Sequence, residues 1–199
     1  MAKEALIADA IFEAAQKVFR SKGCAKASLE DIAKEAKIDV KKLKSAYPSV
    51  EAIIQGILDK DIAESTELFT RIINDRGKAD VKLTRLVREL LLRYQQSYVV
   101  SCVISEGVEH SDSDIRFVKS CLSSDHIDRY RQNTAILGRL IAQGQSEGLF
   151  TDADPVEAAY LLRGMMGAAV RYRSVTGKED DIRDHADFVM RIFFKGLLR

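Results

Sequence analysis

Residues 28–47 contain two short helical patterns separated by a brief break, and this stretch constrains the fold more than any other. Ser28 can accept a hydrogen bond from the backbone N–H of Asp31, whose carboxylate can bond back, so a helix is predicted to start there. Asp39 predicts the N-cap of a second helix. The apolar residues with helical spacing are Leu29, Ile32, Ala33 and Ala36, then Leu43, Ala46 and Tyr47. Two short helices joined in this way are typical of a helix-turn-helix unit, whose second helix enters the major groove of DNA.

Three lysines, Lys41, Lys42 and Lys44, point outward from the predicted second helix. Exposed lysines most often form an ordinary solvated helix face, so their number alone does not identify a nucleic-acid site. Their position on a recognition helix favours contacts with phosphates and guanine edges. We therefore predict that these lysines bind DNA together with Tyr47 and with Ser28 at the start of the preceding helix.

Composition favours an all-α protein. The 199 residues include two prolines and no tryptophan, and 46% of them are hydrophobic against 31% charged, which is typical of a folded globular chain. The net charge is only +1, so DNA binding must depend on where the lysines lie. The three cysteines show no C-x-x-C spacing, and no apolar run reaches signal-peptide or membrane-span length. We therefore predict a cytoplasmic protein with reduced thiols and no membrane partner.

The predicted fourth helix marks the border between two domains. It begins after Pro48 and extends to about Asn74, which is long enough to pass from one domain into the next. We place the border within this helix, near residues 59–63, so that residues 1–60 form one domain and residues 61–199 the other.

Helical periodicity continues on both sides of this border. Residues 98–107 are rich in β-branched side chains, which favours a strand, but no partner strand is evident, and we predict a buried helix. The other predicted helices run from about Glu4 to Ser21, Asp80 onward, Ile115 to Leu122, Ser124 to Ser146, Pro155 to about Val175 and Ile182 to Leu198. Gly23 is the predicted left-handed stop of the first helix.

Three segments of the first 60 residues resemble the N-terminal domain of the tetracycline-repressor (TetR) family of transcription regulators: residues 11–23, 28–36 and 43–54. The shared features are a Phe and then a Gly ending helix 1, the sequence Asp-Ile-Ala in helix 2, and Leu, an aromatic residue, Pro and Ser before a long fourth helix. The final F-F-K-G-L-L-R is similar to the end of chains in that family. The resemblance implies a three-helix DNA-binding domain, a C-terminal domain that binds a small-molecule effector, and a homodimer on a palindromic operator, most often as a repressor.

Four positions depart from the pattern of that family. Lys37 stands where the family usually has glycine, Lys44 where it has tyrosine, Ala46 where histidine is common, and Val50 where a phosphate-binding lysine is common. Lys37 must either adopt a strained left-handed conformation or rebuild the turn. The departures keep open an alternative function, in which a TetR-fold regulator binds DNA weakly or atypically and acts mainly through a ligand or a protein partner.

Polar side chains interrupt the apolar faces of the middle helices. Tyr94, Tyr98, Cys102 and Glu106 are spaced by four, and residues of later helices, Arg163 among them, could face this stripe. Each such residue alone is more often part of a packed core. As a group they have the composition of a small-molecule pocket, and we predict a cavity for a mostly apolar effector. Its predicted lining is Tyr94, Tyr98, Cys102, Tyr130, Thr134 and Met166.

The sequence G-M-M-G at residues 164–167 places two glycines inside a helix, where each costs about 1 kcal/mol relative to alanine. Close approach of another helix would offset this cost, either within the subunit or, as the resemblance implies, across a two-fold dimer interface. We predict an interface formed by the last two helices, containing Gly164, Val189, Phe193 and Leu197.

No catalytic or metal-binding motif is evident in the sequence, and His110, His126 and His185 lack the spacing of metal ligands. Residues 110–114, H-S-D-S-D, are typical of a helix cap rather than of a metal site. We therefore predict no catalytic site, no cofactor and no bound metal. A small all-helical enzyme is the alternative from another functional class.

Overall fold

The computed structural model of the protein describes residues 2–104 and 110–197, and within these every regular element is an α-helix, which confirms the all-α prediction. The helices are α1 Ala2–Lys22, α2 Leu29–Ala36, α3 Val40–Ala46, α4 Val50–Asn74, α5 Ala79–Gln96, α6 Tyr98–Ile104, α7 Asp112–Ser120, α8 Ser124–Ser146, α9 Pro155–Thr176 and α10 Asp184–Leu197. Each of the described helices is too short or too polar to span a bilayer.

The chain forms two compact units, and each is built from two separate stretches of sequence. The first unit consists of Met1–Asp61 and Ser97–Ser123, and the second of Ile62–Gln96 and Ser124–Arg199. The border at Asp61 lies within α4. The predicted domains placed residues 97–123 with the C-terminal part of the chain, whereas the structure groups them with the first unit.

The first unit has one continuous hydrophobic core. Phe19 of α1, Ile32 of α2 and Leu43 of α3 are fully buried in it. Val99 and Cys102 of α6 and Val118 of α7 belong to the same cluster, which is why residues 97–123 fold with this unit. Each large apolar side chain buried in this way contributes roughly 1.5–3 kcal/mol to folding.

Asp114 joins distant parts of the first unit through its carboxylate. Oδ1 accepts a hydrogen bond from the backbone N–H of Ala25 at 2.7 Å, while Oδ2 accepts from the hydroxyls of Tyr98 at 3.2 Å and Ser111 at 2.8 Å. Ser111 is the N-cap of α7, so these polar residues cap a helix as predicted. Within the described residues, no group of three or more His, Cys, Asp or Glu side chains is placed to hold a metal ion.

Gly23 ends α1 in a left-handed conformation, as predicted, with φ of 86°. A Cβ atom at this position would lie 2.5 Å from Oδ2 of Asp114. Glycine is therefore needed here both for the backbone angle and for the approach of the carboxylate.

A break at Ser97 separates α5 from α6. The hydroxyl of Ser97 accepts a hydrogen bond from the backbone N–H of Val100 at 3.2 Å and so caps α6. Gln16 of α1 stabilises the break, because its amide donates to Ser97 Oγ at 2.9 Å and accepts from the N–H of Tyr98 at 2.8 Å. The predicted buried helix is confirmed for Tyr98–Ile104, whereas the single stripe running from Tyr94 through Cys102 is divided between two helices.

The second unit buries the last part of α4 together with α5, α8, α9 and α10. Its largest fully buried side chains include Phe69, Ile72, Leu83, Leu86, Leu90 and Phe150. Gly144 of α8 admits the ring of Phe150, since a Cβ atom there would lie 2.1 Å from the ring. Asp154 caps α9, Pro155 is its first residue, and Gly177 ends it in a left-handed conformation.

Candidate functional site

The local interactions of α2 and α3 are those that the sequence predicts. Ser28 Oγ accepts from the N–H of Asp31 at 3.2 Å, and the carboxylate of Asp31 accepts from the N–H of Ser28 at 3.1 Å, which completes a capping box. Asp39 caps α3 by accepting from the N–H groups of Lys41 at 2.8 Å and Lys42 at 3.3 Å. Both helices are only about two turns long, and these caps satisfy backbone donors that the helices leave unpaired.

The turn between the two helices passes through Lys37, which has φ of 56° and ψ of 42°. Of the two geometries open to this residue, the strained left-handed one is therefore confirmed. The following N–H, that of Ile38, donates to the carbonyl of Ala33 at 3.0 Å and closes the end of α2. The bond pattern is that of a glycine-type helix stop, formed here by a residue with a Cβ atom.

The Lys37→Gly variant is expected to be more stable than the wild-type protein by about 1 kcal/mol, because glycine adopts this conformation without the Cβ penalty. The matched control is Lys34→Gly, at an exposed position within α2, which is expected to destabilise the protein by a similar amount. Urea denaturation followed by circular dichroism measures both free energies of unfolding. A loss of stability in both variants would contradict the strain at Lys37.

The outer face of α3 carries exposed lysines, while Leu43 on its inner face is fully buried and fixes the helix to the core. Lys44 Nζ donates to Glu30 Oε1 of α2 at 2.7 Å, and this hydrogen bond lowers the pKa of the Glu30 carboxyl. Lys41 and Lys42 are exposed, and no carboxylate of the described chain pairs with either side chain. Their charges remain available to a polyanion, whereas that of Lys44 is partly engaged.

The other predicted DNA-binding residues have mixed surroundings. The Ser28 hydroxyl is occupied by the cap, since it also donates to Asp31 Oδ2 at 2.6 Å. Tyr47 is half-buried with its ring edge-on to Phe12, at 5.6 Å between centroids, and burial raises the pKa of its hydroxyl. That hydroxyl donates to no residue that the structure describes. Val50 lies in the core of the first unit, so its position offers no side chain for a phosphate.

Two of the predicted effector-binding residues belong to the core of the first unit. The Tyr98 hydroxyl donates to Asp114, and burial followed by the charge of that carboxylate raises its pKa above the ordinary value. Cys102 is fully buried beside Cys24. A hydrogen bond between the two thiols lowers the pKa of Cys102 and, together with burial, raises that of Cys24.

The remaining four, Tyr94, Tyr130, Thr134 and Met166, belong to the second unit. Tyr94, Thr134 and Met166 are buried, and Thr134 donates to the carbonyl of Tyr130 at 2.9 Å within its own helix. Tyr130 is 41% exposed, and its ring contacts the guanidinium of Arg163 of α9 at 4.2 Å. The structure thus brings Tyr130 and Arg163 together, and the effector cavity itself stays a prediction.

A surface groove of about 700 Å³ in the second unit is a feature that the sequence did not indicate. It lies along the first turns of α5 and is lined by arginines and carboxylates. Arg85 pairs with Asp75, Arg88 with Asp187 and Arg183 with Asp181, so the arginines of this groove are neutralised within the chain.

The predicted interface residues of α10 lie on the inner side of that helix. Val189 is 3% exposed and Phe193 6% exposed, so both pack in the core of their own chain, and this part of the interface prediction is corrected. Val189 and Phe193 do lie on one side of α10, because they are four residues apart. That side packs against α5 and α9 and therefore faces inward. Gly164 is exposed, and a Cβ atom there would face open space. The side chain of Leu197 lies outside the described residues.

The outward faces of α9 and α10 carry large apolar side chains instead. Their exposed members are Val156, Tyr160, Leu161, Tyr172 and Val175 on α9 and Phe188 and Ile192 on α10. Gly164 lies on the same side of α9 as Tyr160 and Leu161, one turn away. Together these residues form an apolar surface, which we call the α9–α10 face.

Comparisons with known proteins agree on the fold. No protein-family model matches the chain. An uncharacterized HTH-type transcriptional regulator, YuxN of Bacillus subtilis (strain 168), is 34% identical over 85 residues, which is 43% of this chain and 28% of that protein. The regulator FadR from Bacillus subtilis, solved in complex with stearoyl-CoA, matches with a TM-score of 0.73 at 17% identity, over 94% of this chain and 97% of that one.

A transcriptional regulator of the TetR/AcrR family from Thermobifida fusca YX-ER1 matches with a TM-score of 0.67 at 20% identity, over 96% of this chain and 98% of that one. Both solved structures align along nearly the whole chain. The resemblance that the sequence indicates is therefore confirmed at the level of the fold, and the chain has the fold of the TetR/AcrR family of transcriptional regulators.

Proposed function

We propose that this protein is a dimeric DNA-binding transcription regulator, and that it acts as a repressor. Its affinity for a palindromic operator is controlled by a small effector. The observation that carries the proposal is the surface of α3, the second helix of a capped helix-turn-helix. Lys41 and Lys42 are exposed on this surface, and neither has a carboxylate partner among the residues that the structure describes. Such a helix fits the major groove, and its lysines are the groups that neutralise phosphates.

Binding to the DNA upstream of its own gene tests the proposal. Fluorescence anisotropy with labelled duplexes from that region is expected to give specific binding at least about 1,000-fold tighter than to a shuffled duplex. The affinity is also expected to fall steeply with salt because counterions are released from the phosphates. Equal affinity for the shuffled duplex would exclude sequence-specific regulation through this region.

The effector is proposed to bind the second unit. Support comes from the FadR regulator, which was solved with stearoyl-CoA, and from the buried polar and polarisable side chains Thr134 and Met166. A ligand that binds the DNA-free conformation better than the DNA-bound one lowers operator affinity by the ratio of its two affinities. The protein would then act as a regulator rather than as an enzyme.

The dimer is proposed to form through the α9–α10 face. The variant carrying Leu161→Glu and Ile192→Glu places a charge at two exposed apolar positions of this face and is expected to sediment as a monomer at micromolar concentration. The matched control is Val81→Glu, because Val81 is about as exposed as Leu161 but lies on α5, and it is expected to remain a dimer. A wild-type-like sedimentation coefficient in the double variant would place the interface elsewhere.

The alternative of weak or atypical DNA binding has specific support. Lys44 is paired with Glu30, Ala46 lacks a polar side chain, and Val50 is buried where the resembled family commonly has a lysine. The Glu30→Gln variant removes the carboxylate that pairs with Lys44. If DNA binding is weak or atypical, the affinity of this variant for any DNA duplex should rise without a change in sequence preference.

A further inference from the structure

Arg163 lies in the second unit between aromatic rings from two other helices. The carbon at the centre of its guanidinium is 4.2 Å from the centroid of the Tyr130 ring of α8 and 5.6 Å from that of the Phe69 ring of α4. Contacts of this kind orient the guanidinium plane, but its N–H groups still need oxygen acceptors. Arg163 is therefore held in place by groups that do not use its hydrogen-bond donors.

The charge of Arg163 has no ion-pair partner among the residues that the structure describes. Its Nε atom is buried and makes no hydrogen bond to the described chain. Arg173, on the same helix, is different, because its Nε donates to Asp180 Oδ1 at 3.1 Å. Arg93 and Arg129 also bury an Nε atom that makes no hydrogen bond, but each pairs with a carboxylate through another nitrogen. A buried donor without an acceptor is costly, so the combination of a buried Nε atom and no carboxylate partner points to an acceptor from outside the chain at Arg163.

Met166, one turn from Arg163 on α9, is fully buried and supplies apolar surface close by.

We propose that Arg163 binds the anionic group of the effector. The effector is then an amphiphilic anion, a carboxylate or phosphate attached to an apolar body, rather than a mostly apolar neutral molecule. A guanidinium recognises both kinds of anion through two parallel N–H bonds, and such charge-assisted bonds are about twice as strong as neutral ones. This inference rests on the proposed effector site in the second unit.

Isothermal titration calorimetry with three probes of equal chain length tests it: decanoate, decyl phosphate and decanol. The wild-type protein is expected to bind at least one of the two anions about tenfold or more tightly than decanol, which corresponds to one charge-assisted contact. The tighter of the two anions identifies the headgroup. Arg163→Met should remove the preference for the anion over decanol, and Arg163→Lys should retain part of it.

The matched control is Arg139→Met, because Arg139 is an exposed arginine of α8, and it is expected to keep the wild-type preference. A purely structural role of Arg163 would change the affinities for all three probes together and leave their ratio unchanged. Decanol binding as tight as the anions, an unchanged ratio in Arg163→Met, or no binding of any probe would each overturn the inference. The DNA-binding experiment decides separately whether the protein is a regulator.

Discussion

The variant with Lys41→Ala and Lys42→Ala is expected to bind its operator at least about 100-fold more weakly than the wild-type protein. Each lysine is exposed on α3 with no carboxylate partner among the described residues, and the loss of a hydrogen bond to a charged group costs about 1.5–3 kcal/mol. The dependence of log affinity on log salt should also become shallower by about two per half-site, because two phosphate contacts are lost. Fluorescence anisotropy at several salt concentrations measures both quantities.

Lys26→Ala and Lys34→Ala together form the control for this variant. Both lysines are exposed and belong to the first unit, but neither lies on α3, so the same change in net charge is made away from the recognition helix. This control is expected to lose much less affinity. Equal losses in the two double variants would mean that DNA senses the overall charge of the unit and that α3 is not its recognition helix.

Asp114→Ala is expected to destabilise the protein by about 3–5 kcal/mol, the largest effect of a single substitution that we predict. The change removes acceptors for the N–H of Ala25 and the hydroxyls of Tyr98 and Ser111, and it leaves donors unpaired inside the first unit. It also opens the space that excludes a side chain at Gly23. Urea denaturation followed by circular dichroism measures the loss.

Asp112→Ala tests whether this effect depends on the buried contacts. Asp112 lies in the first turn of the same helix but is exposed, so its removal costs only a favourable interaction with the helix dipole, about 0.3–1 kcal/mol. If the two alanine variants were equally stable, the hydrogen bonds of Asp114 would contribute nothing beyond the charge at the start of α7.

The parts of the fold that depend on neighbouring residues could be predicted from the sequence. Ser28 and Asp39 cap helices as predicted, because a cap is formed by a side chain and backbone groups only two or three residues away. The left-handed stop at Gly23 follows from the same local logic. For Lys37 the sequence predicted either a strained left-handed conformation or a rebuilt turn, and the structure shows the left-handed conformation.

The features that the sequence did not predict depend on residues far apart in the chain. Gln16 contacts the break at Ser97, which is 81 residues away, and no local pattern around Ser97 carries this information. The pairing of Lys44 with Glu30 likewise requires the angle between α2 and α3. On α10, the neighbouring residues Phe188 and Val189 are both apolar, but Val189 is buried and Phe188 is exposed. The packing of the whole unit decides between them. The same holds for Arg163, whose unused donors become evident only with its surroundings.

The discontinuous make-up of the first unit has a consequence for how the protein is synthesised. A ribosome that has translated only as far as Asp61 has produced α1 to α3 but not Val99, Cys102 or Val118, which share their core. The α3 helix can therefore reach its full stability only after residue 123 has left the ribosome. Nascent chains and truncated products that end earlier would expose core surface, and under the proposed function they would bind the operator poorly.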